Sequence, residues 1–292
     1  MSYATALGAL ATASLLWEVH AAPKPGLVDR LSSGAHDDMN YGTFLKSALS
    51  LAPHWPRQAL IGEETADPKL AMARLRQVGQ EMERAMTAAT GGVNTHKGLI
   101  FALSLLLWAG AANLREGLPL DSRSVTARSS RLVEGCVAAE LEPLRRRQNR
   151  PLSHGERLFL LHGVTGIRGE AEGAFPSITG SGLPALKLAL ADGASLEEAA
   201  LDALLALMTV CEDSNVIHRG GYAYWKETYR AEVSTFRRRF TAWDDRKRQN
   251  LLELDRLFLQ RRISPGGAAD LLACTLFLFW LESPPFATSC QQ

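Results

Sequence analysis

Five polar stretches rich in glycine or proline interrupt an otherwise apolar chain, and each holds residue types that can do chemistry. The first runs Pro23-Lys24-Pro25-Gly26-Leu27-Val28-Asp29 and continues into Gly34-Ala35-His36-Asp37-Asp38-Met39. Asp29, Asp37 and Asp38 supply oxygen ligands of the kind a magnesium ion takes when it also holds phosphates. Asp37 and Asp38 fit Asx turns capping the next helix equally well. The second, Gly91-Gly92-Val93-Asn94-Thr95-His96-Lys97-Gly98, leads into a strongly apolar segment. A helix start there would offer N–H groups and a positive dipole end to an anion, and Lys97 adds a full charge. It is not a P-loop, because His96 stands for the second glycine, Gly98 follows the lysine, and no strand precedes it.

In the third stretch, Gly166-Ile167-Arg168-Gly169-Glu170-Ala171, Arg168 and Glu170 fit a phosphate and ribose hydroxyls, or simply each other as a surface pair. Gly180-Ser181-Gly182 nearby imitates a dinucleotide fingerprint in letters only, since no βαβ frame surrounds it. The fourth, Glu212-Asp213-Ser214-Asn215-Val216-Ile217-His218-Arg219-Gly220-Gly221, packs acid, amide, imidazole and guanidinium into ten positions. A helix C-cap at Gly220 explains one glycine and leaves the rest of the cluster unexplained. The fifth, Ser264-Pro265-Gly266-Gly267-Ala268-Ala269-Asp270, reads as another helix start, with glycines that let a ligand approach the backbone.

The elements that position these stretches are helices. Asp67-Pro68 reads as an N-cap with proline at the first helical position, opening a helix to about Ala89 with Leu75, Val78, Met82 and Met86 on one face. Ser195 with Glu198 forms a capping box for a helix reaching Cys211. The segments from Lys97 to Ala112 and from Ser264 to Leu281 are apolar almost all round, so other helices must bury them. Period-two alternation is nearly absent. The expectation is an all-α fold in one compact multi-helix domain spanning residues 1–292, with the site on loops at helix ends.

Of the 292 residues, 46% are hydrophobic and 22% charged, which is a globular composition. A net charge of +1 argues against nucleic acid or an anionic membrane as partner. The basic runs Arg145-Arg146-Arg147, Arg237-Arg238-Arg239 and Arg246-Lys247-Arg248 read as solvated helix faces. The four cysteines, Cys136, Cys211, Cys274 and Cys290, lack metal-site spacing and fit a reducing cytoplasm. The apolar start from Ala4 to Trp17 lacks a basic flank and reads as a core helix; the run Gly98 to Ala112 is short for a bilayer span.

Read together, PKPGLVDRLSSGAHDDM (Pro23 to Met39), GGVNTHKGLIF (Gly91 to Phe101), GIRGEA (Gly166 to Ala171), DSNVIHRGG (Asp213 to Gly221) and SPGGAADLLA (Ser264 to Ala273) resemble the triphosphoribosyl-dephospho-coenzyme A synthase family. The likeness spans Trp17 to Leu281, with Ser214 where threonine is expected. It implies an all-α enzyme with ATP and dephospho-coenzyme A as substrates. The ribose 2′-hydroxyl of dephospho-coenzyme A attacks C1 of the ATP ribose, adenine leaves, and the α linkage implies one inverting displacement. The product serves malonate decarboxylase, the preferred reading, or citrate lyase. A separate transferase attaches it to a carrier protein, and transient contact with that transferase is expected; an oligomer is left open.

On that resemblance, Asp29 and Asp38 are expected to face magnesium, and Lys24, Lys97 and Arg219 the phosphates. Glu170 or Asp213 would stabilise positive charge at C1. His36 and His96 would act as acid and base, with Asn94 and Asn215 orienting groups. Thr95, Arg168, Gly220, Gly221 and Asp270 complete the expected substrate contacts. Two other readings fit the composition: a magnesium-dependent hydrolase of ADP-ribose-type glycosides, and a non-catalytic nucleotide-binding partner of the carrier system. The joint presence of His36, Asp38, His96, Lys97 and Glu170 argues against the last.

Overall fold

The computed structural model describes residues 2–145 and 151–283, and all regular structure among them is helical. The first half holds α1 (Tyr3–His20), α2 (Tyr41–Leu51), α3 (Trp55–Glu64), α4 (Pro68–Ala89), α5 (Lys97–Glu116), α6 (Ser122–Leu132) and the short α7 (Cys136–Glu140). The second holds α8 (His154–His162), α9 (Gly166–Glu172), α10 (Leu183–Ala191), α11 (Leu196–Val210) and α12 (Ser214–Gly220). It closes with α13 (Arg230–Arg239), α14 (Asp245–Gln260) and α15 (Gly266–Leu281). Short π-helical turns, Ile178–Gly182 and Tyr224–Tyr229, lead into α10 and α13.

Caps set most of these boundaries. Asp67 accepts from the Lys69 N–H at 2.9 Å to start α4, and Ser195 forms its capping box with Glu198 on α11. Asn40 with Thr43 caps α2, so the Asx-turn reading of Asp37 and Asp38 as caps does not hold. The expected C-cap glycine sits one residue later: Gly220 is the last residue of α12, and Gly221 takes the left-handed backbone at φ 89°.

One apolar core runs from Ala4 in α1 to Leu281 in α15, with α5 at its centre. α5 extends to Glu116, four residues beyond the expected Ala112, so its 20 residues match a bilayer span in length. Its apolar surface is mostly buried against α3, α4, α6 and α15. Glycine permits the tightest of these contacts: a methyl group at Gly62 would sit 2.3 Å from the Trp108 carbonyl oxygen.

The solvated-face reading of the basic runs fails at Lys247. That side chain is 1% exposed, its Nζ 2.6 Å from Asp202 Oδ1 and over the Trp243 ring. A half-buried partner on α11 therefore draws one member of the run into the protein interior. Arg146, Arg147 and Cys290 lie outside the described residues; Cys136 is half-buried, and Cys211 and Cys274 are buried and free.

Gly62→Ala is expected to lower stability by about 1–3 kcal/mol, because α3 must move off α5 to admit the methyl group. Urea denaturation of the two proteins measures the difference.

Candidate active site

All five stretches meet at one cavity of about 650 Å³, within the ~300–1,000 Å³ range of ligand clefts. Leu27, Val28, His36 and Met39 form one part of its wall, and Asn94 to Leu99 at the start of α5 another. Arg168 and Glu170 come from α9, and Glu212, Ser214, Asn215 and Arg219 from around α12. Gly266, Gly267 and Asp270 contribute the start of α15. The positive ends of α5 and α15 therefore border the same space.

Several expected residues reach this cavity with defined partners. His36 Nε2 lies 2.9 Å from Ser264 Oγ, while Nδ1 lies 3.3 Å from the Arg219 guanidinium and 3.4 Å from Asp38. Burial and the Arg219 charge lower its pKa, so the ring is neutral at pH 7. Arg219 also donates to the carbonyls of Ala35 and Arg262, at 2.8 and 3.0 Å, tying the first loop to the end of α14. His96 is buried, its Nδ1 2.7 Å from Ser47 Oγ, which in turn accepts from Thr95 Oγ1. Desolvation, with the Lys24 charge behind it, pushes the His96 pKa down to about 3. The other ring nitrogen, Nε2, is buried without a hydrogen-bond partner.

Lys97 is exposed and pairs with Glu83 at 2.9 Å, and Asn94 Oδ1 accepts from the Lys97 N–H. Arg168 pairs with Glu140 at 2.9 Å, so the pairing with Glu170 raised from sequence does not form. Glu170 instead accepts from the N–H and hydroxyl of Ser177, and burial raises its pKa. Asn215 packs its amide against Gly266, where a methyl group would lie 2.5 Å away.

Other expected residues are placed differently. Lys24 is 1% exposed; its Nζ bonds the Glu18 carbonyl at 2.7 Å and pairs with the Glu18 carboxylate, away from the cavity wall. Asp29 spends its carboxylate on its own loop, accepting from the N–H groups of Lys24, Leu31 and Ser32 at 2.7–3.0 Å. Asp38 remains largely exposed beside His36. Among the described residues, no group of three or more His, Cys, Asp or Glu is placed to hold a metal ion.

Asp213 is fully buried as the N-cap of α12 and bonds Asn215 N–H, Val216 N–H and, across to α15, Ala268 N–H at 2.9–3.2 Å. Burial raises its pKa to about 6. Gly220 and Gly221 end α12 outside the cavity lining; a methyl group at Gly220 would meet Tyr224 at 2.4 Å. The cavity also holds Glu18, from outside the five stretches, and Glu212, from inside them but given no role. Glu18 comes from the otherwise apolar α1, and Glu212 caps α9 by accepting from Thr165 N–H at 2.9 Å. A lone carboxylate in an apolar helix was the one signal for Glu18.

An all-helical chain that gathers carboxylates, cations and helix starts around a ligand-sized cavity defines a helical enzyme acting on an anionic substrate. Comparison with known sequences agrees: residues 4–286 match CitG, ATP:dephospho-CoA triphosphoribosyl transferase, and the chain belongs to that family. A relative from Streptococcus mutans serotype c is 37% identical over 288 residues, covering 94% of this chain and 96% of the relative. Others from Streptococcus pyogenes serotype M18 and Streptococcus equi subsp. equi are 38% and 39% identical; each covers 94–95% of this chain and 96–97% of its own length. All three carry the name "Probable 2-(5''-triphosphoribosyl)-3'-dephosphocoenzyme-A synthase". No solved structure matches the chain.

The depressed His96 pKa gives a pH test. A histidine that stays neutral when folded but titrates near 6.5 when unfolded favours the unfolded state increasingly as pH falls from 6.5 towards 3. Between pH 7 and pH 4 this costs about 3 kcal/mol. His96→Gln is expected to lose that much less stability than the parent over this range, read from urea midpoints at both pH values.

Proposed function

We propose that the chain transfers the triphosphoribosyl group of ATP to the 2′-hydroxyl of 3′-dephospho-coenzyme A and releases adenine. The observation that carries this reading is the convergence of five distant polar stretches on one cavity, in a chain of this family. Lys97, Arg168 and Arg219 supply cations for the triphosphate at the cavity wall, joined by the positive ends of α5 and α15. Asn94, Thr95 and Asn215 orient sugar and base. Glu170 provides negative charge for the positive character that grows at C1 as the glycosidic bond opens. Neutral His36, wired to Ser264 and Arg219, holds hydroxyl groups in place.

Magnesium fits this site as the companion of the triphosphate. It needs only one or two protein carboxylates when phosphate oxygens complete its shell, and Asp38 is the exposed carboxylate available for it. Its charge offsets that of the phosphates. Asp29, consumed by its own loop, is not part of this proposal.

The product is the precursor of an acyl-carrier prosthetic group, serving malonate decarboxylase or citrate lyase, with malonate decarboxylase preferred. A later transferase would collect it in the cytoplasm.

Incubation with ATP, magnesium and dephospho-coenzyme A should yield adenine and a triphosphoribosyl adduct of the coenzyme, both seen by mass spectrometry. Adenine with free ribose triphosphate and no adduct would instead identify a hydrolase. Within the transfer reaction, Glu170→Gln is expected to lower kcat about 100-fold with little change in KM for ATP.

A further inference from the structure

Adenine is a poor leaving group unless a ring nitrogen is protonated as the bond to C1 breaks, so the transfer reaction needs an acid at the cavity. Most of the candidate groups are committed elsewhere. Asp213 holds three backbone N–H groups, both His36 nitrogens have partners, and Glu170 is bound by Ser177. Glu212 caps α9, and His96 is too weak a base to carry a second proton at neutral pH.

Asp270 differs from all of these. It lines the cavity from the first turns of α15, and no hydrogen bond or ion pair engages its carboxyl among the described residues. Its Oδ2 rests against the backbone of Gly98, where a methyl group would lie only 2.3 Å away. The glycine that spoils a P-loop match at the start of α5 thus makes room for this carboxyl. Glu18 lines the same cavity from α1, is 4% exposed, and is gripped by Lys24 through both its carboxylate and its backbone carbonyl.

We propose that Asp270 is the acid that hands a proton to the departing adenine, and that Glu18, anchored by Lys24, is the positioning residue that keeps this proton on Asp270. This rests on the transfer reaction proposed above. The environments of the two carboxyls separate their roles. Burial, then the charges of Glu18 and Asp213, hold the Asp270 pKa well above the usual carboxylate range. Burial raises the Glu18 pKa overall, while the Lys24 charge and hydrogen bond oppose that rise and favour the carboxylate. The groups facing the pair are Asp213 before α12, Lys24 and Asp29 in the first loop, and Cys274 on α15 itself.

The step balances. The bond between C1 and the adenine nitrogen breaks with its electron pair going to adenine, which takes the Asp270 proton. The 2′-hydroxyl oxygen forms the new bond to C1, and its proton leaves to solvent. Asp270, now a carboxylate, regains a proton from solvent before the next cycle.

The test is the pH profile of kcat for adenine release, measured beside ATP binding. The parent protein should show an alkaline limb where Asp270 loses its proton. Asp270→Asn should lower kcat about 10²- to 10⁴-fold, keep ATP affinity within about threefold, and lose that limb. Glu18→Gln should move the limb to lower pH by about one pH unit, because the neighbouring negative charge is gone. If this variant fails to fold around an unpaired Lys24, Glu18→Gln with Lys24→Met should move the limb in the same direction by less, because a positive charge is lost as well. Asp270→Asn with kcat within threefold of the parent, or with the limb intact, overturns the acid assignment alone. An inactive parent protein that forms neither adenine nor adduct overturns the transfer reading itself.

Discussion

The carboxylate of Asp213 is the fixed point of the site. One oxygen takes the N–H groups at the start of α12, and the other crosses to the Ala268 N–H at the start of α15. Two helix ends that would otherwise leave buried donors unsatisfied are thereby joined through a single side chain. Gly267 permits the approach, since a methyl group there would stand 3.1 Å from the Asp213 carboxyl. With α12 and α15 fixed, Arg219 and Asp270 project towards the same space, and the Arg219 bonds to Ala35 and Arg262 bring the first loop to meet them.

Charge is sorted around this point by what each group can reach. Asp29, Lys24 and Asp213 look like ligand-binding residues when judged by type, yet the fold uses all three internally. Asp29 shapes the loop, Lys24 neutralises a buried glutamate, and Asp213 bridges helices. The carboxyls left facing the cavity sit on helix ends or helix faces whose backbone is already satisfied. This division follows from the cost of leaving any buried polar group without a partner.

Much of the fold was legible because helices announce themselves locally. Asp67-Pro68 and Ser195 with Glu198 mark their helix starts within four residues of sequence, and the structure places both as read. The five polar stretches were legible as interruptions of an apolar pattern, and all of them reach the cavity. What stayed hidden depends on contacts between distant residues. Glu18 sits in an apolar helix and becomes a cavity residue because Lys24 folds back on it. Lys247 looked like surface until Asp202, 45 positions away, drew it inside. No local pattern distinguishes a solvated lysine from one that a distant carboxylate draws inside.

The cavity wall draws on chain positions from Glu18 to Leu271, in segments separated by whole helices. No contiguous fragment owns a binding site, and cutting the chain between any two of the five stretches divides the wall. A ligand that binds this cavity therefore stabilises the assembled molecule as a unit. Occupancy would register as resistance to heat or protease in helices far from the ligand, since partial opening at any one wall releases it.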